Sequence, residues 1–191
     1  TMYQAFQRSN FQEQVHELYD DLVCFGTAVM MIEKDDDQDF RFSTRHISEI
    51  FISEDEQGRV DTVYRKFKLT ARAAVRQIRD KATARIKQVE KREPYEMVEV
   101  VHVVLPRTDR DIRKTNKLNK PWASFYLDAD ESIVLSESGY DEFPYVAPRW
   151  LKSSTDEGGC GHSPAMSALP DVKMVSKFSE ITIRAAQKQI D

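Results

Sequence analysis

Cysteine and glycine are both scarce in this chain: two and six, respectively, among 191 residues. Cys24 and Cys160 cannot supply a disulfide framework, and they suit a reducing compartment. They also fall short of a structural zinc site, which takes about four ligands at recognisable spacing. Long hydrophobic runs are missing. The longest, residues 27–32 and 100–105, are far shorter than the roughly 20 residues that span a bilayer, so no membrane partner is expected. The opening Thr1-Met2-Tyr3-Gln4 lacks the basic patch and apolar stretch of a signal peptide. No internal repeat or low-complexity tract is visible. A formal charge of −4 argues against general affinity for nucleic acid.

What remains is an ordinary composition, 40% hydrophobic and 31% charged, that fits a soluble protein of intracellular origin. The length allows one domain, or one domain with an appendage, around a real core. The first residue is threonine, and the helical pattern over 173–191 has neither a glycine stop nor a following proline. The chain therefore reads as a piece of something longer.

Hydrophobic spacing predicts the elements. Ser9 and Gln12 form a capping-box pattern, and Phe11, Val15, Leu18, Leu22 and Phe25 recur at helical spacing. This predicts a helix over 9–25, with Gly26 as its left-handed stop. Residues 27–32 read as a buried strand, and 40–42 as a short alternating one. Residues 50–69 read as a hairpin turning at Gln57-Gly58. Thr70 can cap a second helix to about residue 91, with the stripe Ala71, Val75, Ile78, Ala82, Ile86 and Val89, stopped by Pro94. Residues 97–105, rich in valine, are the clearest strand. Residues 122–127 and 132–135 follow as strands, and Gly139-Tyr140 reads as a break before an extended segment, 145–150. The order of helix, strands, helix, strands, helix predicts an α+β fold with an antiparallel sheet.

The last quarter is the most informative. Glu142-Phe143-Pro144-Tyr145-Val146-Ala147-Pro148-Arg149-Trp150 leads through Gly158-Gly159-Cys160-Gly161-His162 to Ser163-Pro164 and a helix containing Pro170-Asp171. Glycines allow a tight crossover, Ser163 can cap, and Pro164 presets the first helical φ. Pro170 is expected to kink the helix or restart it. A phosphate cradle is the weaker reading, because the P-loop lysine and the dinucleotide glycine spacing are absent. Cys160 with His162 invites a nucleophile or metal role, yet one thiol and one imidazole lack the third group or further ligands such sites use. No catalytic residue, metal or cofactor is expected. His102, alone in a valine strand, reads as a hydrogen-bonded core or interface histidine. The cluster Glu33, Asp35, Asp36, Asp37 and Asp39 lacks calcium-loop spacing and reads as a solvated turn.

Charge is unevenly placed. Residues 33–61 hold ten acidic and four basic side chains, a net of −6, and residues 65–92 hold eleven basic and two acidic, a net of +9. On the second predicted helix, Arg72, Arg76, Arg79 and Lys87 flank the apolar stripe. They are candidates for a subunit interface or a DNA contact, against the alternative of a solvated face.

Several passages in order resemble the head-to-tail connecting (portal) proteins of short-tailed bacteriophages. They are Ser9-Asn10-Phe11 with Phe25-Gly26-Thr27; Gly58-Arg59-Val60-Asp61-Thr62-Val63-Tyr64-Arg65 with Leu69-Thr70-Ala71-Arg72; His102-Val103-Val104-Leu105-Pro106-Arg107; Ser138-Gly139-Tyr140; Pro144-Tyr145 with Arg149-Trp150; and Gly161-His162-Ser163-Pro164-Ala165 with Leu169-Pro170-Asp171. Cys160 and His162 stand where the family pattern has an aromatic and an arginine. The resemblance implies a wing-type α+β domain over 1–157, then a glycine crossover and the start of the first stem helix over 158–191. The clip, second stem helix and crown would lie outside this chain. It further implies a non-enzymatic subunit of a homo-oligomeric ring of about twelve copies at a capsid vertex of the virion, assembled in the host bacterial cytoplasm. Double-stranded DNA would pass through the ring during packaging and ejection, and terminase, capsid or scaffold, and tail-adaptor proteins would dock on it. The rival readings are a small α+β enzyme using Cys160 and His162 in the glycine loop, and a non-viral ring or scaffold module.

Overall fold

The computed structural model describes residues 2–35, 39–78, 82–111, 113–114, 116–152 and 159–188. The fold is α+β, with two antiparallel sheets and a long final helix. Strands β3 (Ile50–Glu54), β4 (Val60–Thr70), β5 (Met97–Pro106), β6 (Trp122–Asp128) and β7 (Val134–Tyr140) form a five-stranded sheet in chain order. Strand β1 (Val29–Asp35) is the centre of a three-stranded sheet, between β2 (Asp39–Arg45) and the short β8 (Tyr145–Val146).

Register explains the layering. The pairs Val63–Val104, Arg65–His102, Phe67–Val100 and Leu69–Val98 lie directly opposite one another across β4 and β5, so all eight residues share one face of the larger sheet. At one end of that face, helices α3 (Ala71–Ile78) and α4 (Ala84–Arg92) cover Phe67, Val98 and Val100. At the other end, Val63, Val104 and Ile50 meet Val29, Met31 and Tyr145 of the smaller sheet. Met30 and Ile32 of β1, with Ala28 just before it, face Leu18 and Val15 of helix α2 (Phe11–Phe25), together with Phe6 of α1 (Met2–Arg8). Strand β1 is thus covered on both sides, which is why its sequence reads as a continuous apolar run. Val63, Val100 and Val104 are fully buried, each worth about 1.5–3 kcal/mol relative to exposure.

Asp128 ties the helical end to the sheet. Its fully buried carboxylate accepts from Arg85 (2.6 Å), the Thr83 hydroxyl (3.2 Å) and the Asp130 amide (3.1 Å). Burial works against its charge, but Arg85 and the turn amides hold its pKa below the ordinary carboxylate value.

Several expectations need correction. Residues 2–8 form a helix of their own, and the chain turns at Ser9 before α2. The capping box does not form there. Asn10 occupies the cap position without a side-chain cap bond. Its amide instead brackets the Phe42 backbone, donating to the carbonyl (2.8 Å) and accepting from the N–H (3.0 Å). The helix expected over 70–91 is two helices: Thr83, extended at ψ 159°, caps α4 by accepting from the Ile86 amide (3.2 Å). Gly139-Tyr140 is not a break but lies inside β7. A Cβ at Gly139 would stand 2.7 Å from the Trp122 carbonyl oxygen and 2.8 Å from that of Lys117, so glycine lets the 117–120 segment lie against the strand. Helix α5 (Pro164–Lys188) runs through Pro170 without a restart. Asp36 and Asp37 of the acidic cluster, Arg79 and Gly158 lie outside the described residues.

Candidate functional site

The sequence-singled residues converge where α5 leaves the body. Gly26 ends α2 in the left-handed region, φ 74°, and its amide donates to the Leu22 carbonyl at 3.0 Å. Its carbonyl accepts from the Trp150 amide at 2.9 Å, and Thr27 forms a bridge with Arg149. Gly161 lies against Gly26 so closely that a Cβ on either would collide with the carbonyl oxygen of the other. The Gly161 amide donates to the buried Thr27 hydroxyl (2.6 Å), and the His162 amide donates to the Leu151 carbonyl (2.7 Å). Ser163, also buried, serves both sides: its hydroxyl donates to the Cys24 carbonyl (2.9 Å) and accepts from the Met166 amide (2.9 Å). One side chain therefore caps the start of α5 and fastens it to the end of α2.

Arg149 adds a polar clamp. Its guanidinium donates to the carbonyls of Gly159 (2.9 Å) and Gly58 (3.1 Å) and pairs with Glu54, which also takes Lys152 at 2.6 Å. Gly58 turns the β3–β4 hairpin at φ 74°, and a Cβ there would meet the Lys152 ammonium at 2.8 Å. Gly26, Gly58, Arg149, Trp150, Gly161, Ser163 and Pro164 thus form one junction. Glu54 and Thr27 also take part in it; Thr27 appeared in the sequence only as part of the Phe25-Gly26-Thr27 passage, and Glu54 was given no role. Glu54 was absorbed into an acidic block, and Thr27, the one polar residue opening an apolar run, was the available signal.

A second group lies between the sheets. His102 is buried, its ring stacked on Tyr126 with centroids 4.2 Å apart. Its nitrogens are bonded to the Ser124 hydroxyl (2.9 Å) and the Tyr145 hydroxyl (3.1 Å). Burial, reinforced by the nearby charges of Arg65 and Arg45, pushes its pKa down to about 3, so the imidazole is neutral. Arg65 is held by Glu49 at 2.9 Å and lies over the Phe67 ring at 3.9 Å. The tyrosines of this seam, Tyr140 and Tyr145, are shifted upward by burial. The His102–Tyr145 bond links the larger sheet to β8 of the smaller one.

The remaining singled-out residues are dispersed. Arg59 is exposed at the hairpin turn, while Asp61 is half-buried and Tyr64 exposed on β4. Pro106 ends β5, and Arg107 reaches Glu137 at 2.8 Å beside the Phe125 ring. The Pro144 carbonyl accepts from the Ile32 amide at 2.8 Å. Asp171 is exposed on α5. Arg72 and Arg76 are exposed on α3 and Lys87 on α4, so they do not share one helix as expected. Cys160 and His162 are exposed, and the His162 ring is bonded to the Ser167 hydroxyl at 3.1 Å. Among the described residues, no three His, Cys, Asp or Glu side chains are grouped to hold a metal ion.

Helix α5 is the exceptional element. Its 25 residues, about 37 Å long, include none that is buried. Beyond Pro170, Lys173, Lys177, Glu180, Arg184 and Lys188 fall on one ridge at helical spacing, with Glu180 pairing both Lys177 (2.9 Å) and Arg184 (2.6 Å). A further arc of roughly 200° at about 100° per residue carries the exposed Val172, Met174, Val175, Phe178, Ile181 and Ile183, with Asp171, Ser179 and Thr182 interspersed. A helix this broadly apolar is built for partners on more than one flank.

A family model described as bacteriophage head to tail connecting protein matches residues 1–191. The chain belongs to that family. It is 37% identical over 178 residues to a protein named "Probable portal protein" from Bordetella phage BPP-1, and 34% identical over 178 residues to the "Portal protein" of Salmonella phage epsilon15. These matches cover 91% and 90% of this chain, but 32% of each relative. The chain therefore spans about a third of the length of the curated relatives it matches.

Proposed function

We propose that this chain is the wing region and the beginning of the first stem helix of a portal subunit. Residues 1–157 are the wing, and residues 158–191 are the crossover and stem start. The subunits close into a ring of about twelve copies at one capsid vertex. The ring passes double-stranded DNA during packaging and ejection, and terminase, capsid or scaffold, and tail-adaptor proteins dock on it. It is a structural part of the virion, assembled in the host cytoplasm, and does no chemistry itself.

The observation that carries this reading is α5, rigidly launched yet unburied, with apolar side chains around most of its circumference. Copies related by rotation would supply what each helix lacks on its two flanks. The family relationship, and portal proteins as relatives over nine-tenths of the chain, point the same way. Native mass measurement of the full-length protein tests it: a closed ring of about twelve subunits supports the proposal, and a monomer sinks it. A turnover abolished by Cys160→Ser would promote the enzyme reading instead.

A further inference from the structure

The apolar residues of α5 fall into two flanks that are unevenly spaced around its axis. Met174, Phe178 and Ile181 centre on one direction and Val172, Val175 and Ile183 on another, about 140° apart on one side and about 220° on the other. Midway between them on the narrow side lie Asp171 and Thr182, both exposed. Midway on the wide side lies the ridge with Glu180, which holds every Lys and Arg of the described α5. A helix in a closed ring of about twelve touches its two neighbours in directions about 150° apart toward the ring axis and about 210° apart toward the outside. The narrow side of α5 matches the inner spacing. Packed about 10 Å apart, some twelve such helices enclose a bore on the order of 25 Å wide, enough for one DNA duplex.

We infer that α5 turns Asp171 and Thr182 toward the DNA in the bore and its basic ridge away from it, to the outside of the ring. The inference rests on the ring reading and adds which side of each helix the duplex meets. The chemistry of the two sides differs sharply. The Asp171 carboxylate repels phosphate. The Thr182 hydroxyl already donates to the Phe178 carbonyl at 2.9 Å, so it has no proton left for a phosphate oxygen. Lys173, Lys177, Arg184 and Lys188 would instead hold phosphates, with release of their counterions. With those cations turned outward, the wall of the bore offers the duplex no charged anchor, and the duplex slides past it.

The test uses DNA-filled particles built with the full-length protein, carrying a photo-crosslinking phenylalanine analogue at position 182 or at position 177. Both positions are exposed, so the fold should survive, and a circular-dichroism melt checks that it does. The two lie on opposite sides of a helix about 10 Å thick, so position 182 is expected to give about tenfold more protein–DNA product than position 177. A second variant needs no crosslinker. Asp171→Lys puts a ring of cations into the bore and is expected to slow packaging about threefold relative to the parent at low salt, with recovery as salt rises. Closed rings in which position 177 gives the greater or an equal yield, in which neither position reacts, or in which packaging ignores Asp171→Lys overturn this inference and leave the ring reading intact. Failure to form any closed assembly overturns the ring reading itself.

Discussion

Gly26 and Gly161 show how narrowly a single atom can be excluded. Gly26 combines a left-handed backbone with direct contact against Gly161, and its carbonyl accepts from the Trp150 amide at the crossover. Gly161→Ala or Gly26→Ala is expected to lower unfolding free energy by about 3 kcal/mol, measured by urea denaturation. A loss below about 0.5 kcal/mol would show that the crossover relaxes freely. His102 gives a pH prediction with a definite sign. In the folded chain it stays neutral down to about pH 3, whereas unfolded it takes up a proton near its ordinary pKa of about 6.5. Between those values the unfolded chain binds more protons. The stability contributed by the neutral ring is therefore complete above pH 6.5 and is lost as pH falls toward 3, at up to about 1.4 kcal/mol per pH unit. The stability advantage of the parent over His102→Gln should shrink as pH falls through that window. A constant difference would mean the ring is solvated in the native chain.

At the scale of elements, α5 separates folding from assembly. Phe178 is exposed, so Phe178→Asp should change the melting free energy by no more than about 0.5 kcal/mol while preventing the full-length protein from assembling. Melting and sizing of one preparation check both; a collapsed fold with Phe178→Asp would place the helix in its own core. The elements readable from sequence were those set by local chemistry. Gly26 as a left-handed stop, the Gln57-Gly58 turn and the Ser163-Pro164 start need only near neighbours. What escaped was decided across the fold. Asn10 abandons its cap because the Phe42 backbone, 32 residues away, takes its amide. Thr83 sits inside a stretch whose spacing is helical, and its role as the cap of α4 is fixed by the Ile86 amide and by Asp128, 45 positions away. Gly139 looked like a chain breaker because the segment resting against it is remote in sequence. The junction was half legible: Gly26, Arg149, Gly161 and Ser163 stood out, but Glu54 joins Arg149 from 95 positions away, and no local pattern announces such a pair.

For the whole molecule, the opposed charge blocks bear on how copies meet. Residues 33–61 carry a net −6 and residues 65–92 a net +9. Part of this is settled within the chain, through Arg65 with Glu49 and Arg85 with Asp128. Exposed pairs contribute only about 0–1 kcal/mol each, so a role between subunits needs several acting together. Reversing Arg72, Arg76, Arg79 and Lys87 is expected to impair ring closure or change the subunit number, with partial recovery on reversing Asp35, Asp36 and Asp37. Mass measurement of the assemblies reads this directly. Normal rings that package poorly would place those four residues against DNA instead. The central claim, that α5 is completed by its neighbours in a closed portal ring, is tested most directly by an electron cryomicroscopy reconstruction of the full-length assembly. The account predicts a closed ring in which Met174, Phe178 and Ile181 of every copy are buried against adjacent copies. A reconstruction showing α5 folded back on its own body, or no closed assembly at all, would contradict it.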